Sequence, residues 1–236
     1  RIYYFWTEDN PFLPANNMDS FKGRPDEEIK ATAYGIPTKN AISTFTLFDE
    51  EVHVVKHEDI PFLKEDYKGQ VTRYHVIDPA GDKPWFMVWA AVDALEHITI
   101  YAEWPDESYG SWGEQGTTPE GQKGPAQKSN SYSIDDYVET MKNMEGEDEI
   151  FERLIDPRLA VTSMQTREGS ITIMGELEAA GIVVIAAPGN RIDPGLDLIK
   201  NALKYDLSRP LGSTNMPKLR ISDRCQNLIE AFKNFS

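Results

Sequence analysis

The sequence predicts an α/β fold, a mixed five-stranded sheet with helices on both faces, preceded by an N-terminal appendage. Three strand-like stretches joined by short connections are typical of an antiparallel meander. After residue 132, helix-like and strand-like stretches alternate, which predicts parallel strands added to that meander. The 236 residues suffice for one sizeable domain and an appended segment.

The meander is predicted to begin at residue 71. Its strands are Val71–Asp78, which ends at a Pro-Ala-Gly turn, then Trp85–Val92 and Ile98–Trp104. Aromatic and β-branched residues fill all three, as strands favour. Residues 105–131, rich in Gly, Ser, Pro and Gln, form a long patternless stretch, which is typical of a functional or disordered loop.

The second half of the chain is predicted to alternate between helices and strands. Ser133 and Asp136 form a capping pattern that opens a helix over residues 134–144. The elements that follow are a strand over 150–156, a helix over 170–180, a strand over 182–187, a helix over 193–203, a strand over 218–221 and a helix over 223–235. The ribonuclease H-like fold has this order of elements.

The domain boundaries follow from the same patterns. Residues 1–40 contain an aromatic strand, several prolines and one short helix, too little to form a core, and are predicted to be an appendage. Residues 41–70 are interpreted as a linker, and residues 71–236 as the folded domain.

Composition excludes several classes of protein. No run of 18 apolar residues and no signal peptide is present, so we expect no membrane association. Cys225 is the single cysteine, which rules out an intramolecular disulfide and favours a cytosolic location. The phosphate-binding pattern G-x-x-x-x-G-K-[ST] is absent, so this chain is not expected to hydrolyse ATP by itself.

Three aspartates occupy comparable places in the predicted fold. Asp78 ends the first strand, Asp156 ends the fourth, and Asp223 opens the last helix. If the first and fourth strands are parallel neighbours, Asp78 and Asp156 emerge together, and a helix over that edge could bring Asp223 near. Clustered carboxylates repel one another unless cations lie between them, and oxygen ligands suit Mg²⁺ or Mn²⁺. Two such ions can promote phosphodiester cleavage.

Each of these residues also has a plain structural interpretation. An aspartate before proline is a common turn residue, and one before a helix is a common cap. Asp82 could be a peripheral metal ligand or part of a Gly-Asp turn, and Glu103 could approach the cluster or end its strand in solvent. His53 and His57 have the spacing of a helical zinc pair but lie in a strand-like stretch.

Short stretches in a fixed order also resemble a known family. Near the N-terminus these are Thr7-Glu8-Asp9-Asn10-Pro11-Phe12 and Ala33-Tyr34-Gly35-Ile36-Pro37; further along they are Asp78-Pro79-Ala80-Gly81, Tyr101-Ala102-Glu103-Trp104-Pro105 and Ile155-Asp156-Pro157-Arg158. Together with the segment 219–235 they resemble the large terminase subunits of tailed bacteriophages. The first two are similar to the end of that family's ATPase domain, the others to its nuclease domain.

The resemblance implies an ATP-driven motor joined to an endonuclease that cuts concatemeric double-stranded viral DNA during genome packaging. Residues 1–40 would then be a C-terminal remnant of the ATPase domain. The three acidic positions of the nuclease fall on Asp78, Asp156 and Asp223, with two Mg²⁺ or Mn²⁺ ions. Expected partners are double-stranded DNA, the chain's own ATPase domain, the portal protein and the small terminase subunit, in the host cytoplasm.

Two alternatives remain open, and the charge bears on both. A Holliday-junction resolvase or transposase could share the fold, or the chain could be a non-catalytic docking module of the packaging motor. The formal net charge is −15, which opposes contact with DNA phosphates. The acidic excess lies in residues 1–155, so a nuclease held on DNA by a partner domain could tolerate it.

Overall fold

The structure is a computed structural model that describes residues 44–81, 84–106, 132–161, 163–166, 169–188, 192–212 and 214–235. The chain divides into two compact units, one of residues Arg1–Phe48 with Glu230–Ser236 and one of Asp49–Ile229. The expected appendage over residues 1–40, positions 107–131 of the loop predicted over 105–131, and Asp82 lie outside the described residues.

The larger unit contains an α/β sheet with its helices. The described α-helices are α1 (Glu50–His53), α2 (Ile134–Glu145), α3 (Pro157–Ala160), α4 (Ile173–Ala179), α5 (Ile192–Ala202) and α6 (Gln226–Asn234), the last of which runs into the smaller unit. The strands are β1 (Val54–Val55), β2 (Thr72–Asp78), β3 (Phe86–Val92), β4 (Ile98–Trp104), β5 (Ile150–Ile155), β6 (Ser163–Thr166), β7 (Gly169–Thr172), β8 (Ile185–Ala186) and β9 (Leu219–Ser222).

Seven of these strands form one mixed sheet in the order β1-β9-β4-β3-β2-β5-β8, where the sequence predicted five. The meander is confirmed, since β3 pairs antiparallel with both β2 and β4. The predicted parallel neighbours are also confirmed, since β2 pairs with β5 in register from Tyr74↔Glu152 to Ile77↔Ile155. All strands of this sheet except β3 therefore run in one direction, and β2, β4, β5 and β9 end at the same edge.

Two short strands, β9 and the edge strand β1, extend the sheet beyond β4. Val54–Val55 pairs with β9, which in turn pairs with β4. Residues 41–70 were interpreted as linker, but part of that segment packs with the sheet. Three 3₁₀ turns between residues 57 and 70 carry Ile60 and Phe62, both buried in the main core. The sequence of this segment shows neither the strand nor the helix periodicity of apolar residues, because the segment is built from these short turns.

One face of the sheet forms that core against α2 and α4. Its fully enclosed side chains include Ile77, Met87, Trp89, Met141, Ile155 and Leu177. Trp85 stacks on Tyr137 of α2, with ring centroids 4.0 Å apart. Helix α2 begins at the predicted capping box, where Ser133 and Asp136 exchange side-chain and backbone hydrogen bonds.

A buried charge network fastens the end of α2 to β2 and β5. Glu145 accepts hydrogen bonds from Arg153, one of them 3.1 Å long, and from the indole of Trp89 at 3.4 Å. His75 stacks on Trp89, and its Nδ1 lies 3.1 Å from Glu145 Oε1 without hydrogen-bond alignment. Burial would raise the pKa of Glu145, but the contacts with His75 and Arg153 outweigh it and lower the pKa to about 2.

In the smaller unit, the described residues form an aromatic cluster. Phe45 and Phe48 pack on Phe232, with ring centroids 4.8 and 5.0 Å apart. Phe45 also contacts Phe235, and the amide of Thr44 donates to the carbonyl of Phe235 at 2.6 Å.

Candidate functional site

The candidate site lies where β2 and β5 end side by side. Asp78 is the last residue of β2, and Asp156 directly follows β5. The amide of Asp156 donates to the carbonyl of Ile77 at 3.0 Å, which continues the parallel pairing one residue beyond the strand. The two aspartates therefore leave the same edge of the sheet on neighbouring strands, as the sequence predicted.

Asp156 is held by the turn that follows it. It is the N-cap of the one-turn helix α3, and its Oδ1 accepts from the amide of Arg158 at 2.7 Å. The Arg158 guanidinium returns over the carboxylate, with Nη2 2.7 Å from Oδ2 and Nε 3.2 Å from both oxygens. These bonds to Arg158 lower the pKa of Asp156, so this carboxyl stays ionised.

Asp78 has the opposite electrostatic environment. Asp78 is exposed, but the surrounding protein partly desolvates its carboxyl and the Asp156 carboxylate repels its charge. Both effects raise the pKa of Asp78, and Arg158 partly offsets them. Asp78 thus lies close enough to Asp156 for the two charges to interact. A cation between two such carboxylates would relieve the repulsion, as Arg158 now does in part.

This pair satisfies part of what a divalent metal needs. Mg²⁺ is commonly bound by one or two carboxylates, with waters and substrate phosphate oxygens completing an octahedron. Asp78 and Asp156 fit that description. Among the described residues, no group of three or more acidic, His or Cys side chains is arranged to hold a metal. Asp82, the predicted peripheral ligand, lies outside the described residues.

The structure does not bring Asp223 to this pair. Asp223 follows β9, and β4 and β3 stand between β9 and β2 in the sheet. Three strand spacings of roughly 4.8 Å put it about 14 Å away along the edge. Its amide donates to the carbonyl of Val55, and its Oδ1 accepts from the amide of His57 at 2.9 Å. Asp223 thus fastens the segment after β1, and α6 begins only at Gln226.

Glu103 and His57 also have structural partners. Glu103, at 2% exposure, accepts from the amides of Asn227 and Leu228 at 2.8 and 2.9 Å and so caps the start of α6. It neither ends its strand in solvent nor reaches the aspartate pair. The His57 Nδ1 is 3.1 Å from the hydroxyl of buried Ser222.

Arg158 is the residue at this edge whose position the sequence did not predict. The sequence Asp156-Pro157-Arg158 does contain the signal, because an aspartate before proline caps the first turn of a helix. A long side chain two residues later then lies near that cap. Two clefts of about 500 Å³ in the described part of the chain lie away from this edge.

The fold was compared with known proteins. No family model matches the sequence, and no curated protein matches it. Solved structures of the large terminase from a thermophilic bacteriophage do match in fold. One crystal form gives a TM-score of 0.53 at 13% sequence identity over 80% of this chain. The form in complex with ATP-gamma-S gives 0.54 at 14% identity over 97% of it.

The likeness concerns the fold and only part of the thermophilic phage protein. This chain covers 36% of that chain in the first alignment and 46% in the second. The resemblance to large terminase subunits seen in short stretches of sequence is therefore matched at the level of structure. Separately, no helix among the described residues is long and apolar enough to cross a membrane.

Proposed function

We propose that this chain is a metal-dependent endonuclease of ribonuclease H-like fold that cleaves concatemeric double-stranded viral DNA during genome packaging. The observation that carries the proposal is the pairing of Asp78 and Asp156 at the ends of adjacent parallel strands. Strand β2 pairs antiparallel with β3 of the meander on one side and parallel with β5 on the other, and this pairing supports the fold assignment. The likeness to the large terminase of the thermophilic phage supports the biological setting.

Asp78 and Asp156 would hold the Mg²⁺ or Mn²⁺ ions that the resemblance implies, with Asp82 as a candidate further ligand. When bound, divalent ions supply an activated water and stabilise the leaving oxygen of a phosphodiester. The chain itself contributes two anionic ligands at fixed positions, since β2 and β5 are hydrogen bonded and buried on one face. Arg158, exposed and mounted on the rigid turn of α3, would contact a DNA phosphate once the metal takes its place on Asp156.

Because the chain is acidic, the proposed activity requires partners that bring DNA to it. A net charge of −15 disfavours unaided binding to DNA, because affinity for the duplex depends on neutralising its phosphates. We therefore propose that an ATPase domain in the full-length protein, with the portal protein and small terminase subunit, presents the DNA to this domain. The setting would be the host cytoplasm.

A non-catalytic docking module is the second candidate. One observation favours it, namely that Arg158 and the α3 amide already engage both oxygens of Asp156. In that case the two aspartates would be turn and cap residues, and the acidic surface would serve a partner protein.

A cleavage assay separates these candidates. Supercoiled plasmid would be incubated with Mn²⁺ and excess protein, so that mass action offsets the electrostatic repulsion between the acidic chain and DNA. The wild-type chain is expected to nick the plasmid and Asp78→Asn to be inactive, while the exposed-site control Asp197→Asn keeps wild-type activity. Equal nicking by Asp78→Asn, or none by any variant, would refute the nuclease assignment. Faster cleavage of a four-way junction than of duplex would favour a resolvase-like enzyme.

A further inference from the structure

A cleft of about 520 Å³ lies at the opposite edge of the sheet from Asp78 and Asp156. One wall is formed by the 3₁₀ segment, with Ile60, Phe62 and Tyr67. The floor is formed by the sheet, with Ala91, Thr99 and Arg220. Its volume falls within the roughly 300–1,000 Å³ of small-molecule sites, and its mixture of apolar surface with a few polar groups is typical of them.

Arg220 is the unusual feature of this cleft. Its side chain is half-buried, and its Nε–H is fully enclosed without a hydrogen-bond acceptor in the described part of the chain. Arg220 comes from β9 beside Thr99 of β4, so the strand pairing fixes where the guanidinium begins. Protein structures rarely leave an enclosed arginine donor unpaired, because the group has lost water without gaining an acceptor.

The other charged groups of the cleft do not meet this need. Asp93 accepts from the amides of Leu95 and His97 at 2.8 and 2.9 Å and lies 3.1 Å from the His97 ring. Its carboxylate is therefore committed to its own turn. Asp59 is exposed, like the oppositely charged Lys56 that also lines the cleft. An anion entering the cleft would pair with the accessible part of the half-buried Arg220 guanidinium and balance the charge beside its enclosed Nε–H.

We propose that this cleft binds a small molecule in which one anionic group, a carboxylate or a phosphate monoester, is joined to an apolar, aromatic body. Arg220 receives the anionic group through charge-assisted hydrogen bonds. Phe62, Ile60 and Tyr67 contact the apolar body. The site is separate from the aspartate pair, so it stands whether or not the chain cleaves DNA.

Phenyl phosphate and benzoate are suitable probes, and phenol and inorganic phosphate are the separated halves of phenyl phosphate. Binding to the full chain would be followed by amide chemical shifts. Both probes are expected to shift residues around Thr99 and Arg220, and phenyl phosphate is expected to bind at least about tenfold more tightly than either of its halves. Comparing the two probes distinguishes a phosphate from a carboxylate ligand.

Arg220→Gln is expected to weaken both probes at least about tenfold, with Arg209→Gln, at an exposed arginine, as the unaffected control. Tyr67→Ala provides a second variant on the exposed wall, should Arg220→Gln fail to fold. It is expected to weaken phenyl phosphate but not inorganic phosphate. Unchanged binding in these variants, or no shifts at the cleft, would overturn the proposal. Displacement of phenyl phosphate by a short DNA duplex would also overturn it, by assigning Arg220 to the nucleic-acid backbone.

Discussion

The amide of Asp156 donates a 3.0 Å hydrogen bond to the carbonyl of Ile77, the residue before Asp78. This one contact extends the parallel pairing of β2 and β5 past the end of β5. It fixes the backbones that carry both carboxylates, so the pair exists before any ligand arrives. Partial desolvation and, after it, repulsion by the Asp156 carboxylate raise the pKa of Asp78.

Metal binding should stabilise the fold through this pair. A ligand that binds only the folded state at 100 times its Kd adds about 2.7 kcal/mol to the free energy of unfolding. We expect Mn²⁺ to raise the Tm of the wild-type chain and to have little effect on Asp78→Asn, which loses one ligand charge. Thermal unfolding with and without Mn²⁺ tests this. An equal rise in Tm for both proteins would show that Mn²⁺ binds elsewhere.

Arg158 should compete with the metal for Asp156. Its guanidinium contacts both carboxylate oxygens, so it must move before a metal can bind there. Arg158→Gln removes a positive charge beside the site, and Mn²⁺ affinity is expected to rise roughly 5- to 30-fold, as expected for one nearby unit charge acting on a dication in water. Calorimetric titration measures this, with Arg209→Gln as the control. Weaker Mn²⁺ binding by Arg158→Gln would contradict the competition.

Asp223 should be separable from the metal site. Its carboxylate accepts from the amide of His57 and lies three strands away from Asp78. Asp223→Asn is expected to lower stability by about 1 kcal/mol, since the amide retains an acceptor but loses the charge, and to leave Mn²⁺ affinity unchanged. Denaturant unfolding and calorimetry measure the two effects separately. Loss of Mn²⁺ binding in this variant would show that Asp223 belongs to the metal site after all.

Glu103 should make stability depend on pH. Burial raises the pKa of Glu103 from 4.5 to about 7, against the opposing hydrogen bonds from Asn227 and Leu228. Because the folded pKa exceeds the unfolded one, the stabilisation is fully present below about pH 4.5 and is lost as the pH rises to about 7. The loss is at most about 3 kcal/mol.

The effect is measured as the difference in free energy of unfolding between wild type and Glu103→Gln, from about pH 5 to about pH 8. Since only the wild type titrates at this position, we expect that difference to fall as the pH rises. Glu139→Gln, at an exposed position of the same protein, serves as the control. A constant difference for Glu103→Gln would mean that Glu103 is ionised throughout this range.

Most of the central sheet could be predicted because each of its longer strands has a recognisable local sequence pattern. The stretches ending at Asp78 and Trp104 alternate or carry branched and aromatic residues, and proline or glycine follows them. The position of Asp223 could not be predicted in this way. It depends on β9 pairing between β4 and β1, and the two-residue strand β1 is too short to leave a period in the sequence. The role of Glu103 was equally inaccessible, because its partner Asn227 lies 124 residues further along the chain.

The most direct test of the central claim is a crystal soaked with Mn²⁺ and measured at a wavelength where manganese scatters anomalously. We expect an anomalous peak within bonding distance of oxygens of both Asp78 and Asp156, with the Arg158 guanidinium displaced from Asp156. The metal site would be contradicted by a map at saturating Mn²⁺ in which both carboxylates are well resolved but no manganese lies between them. In that map Arg158 would still be paired with Asp156.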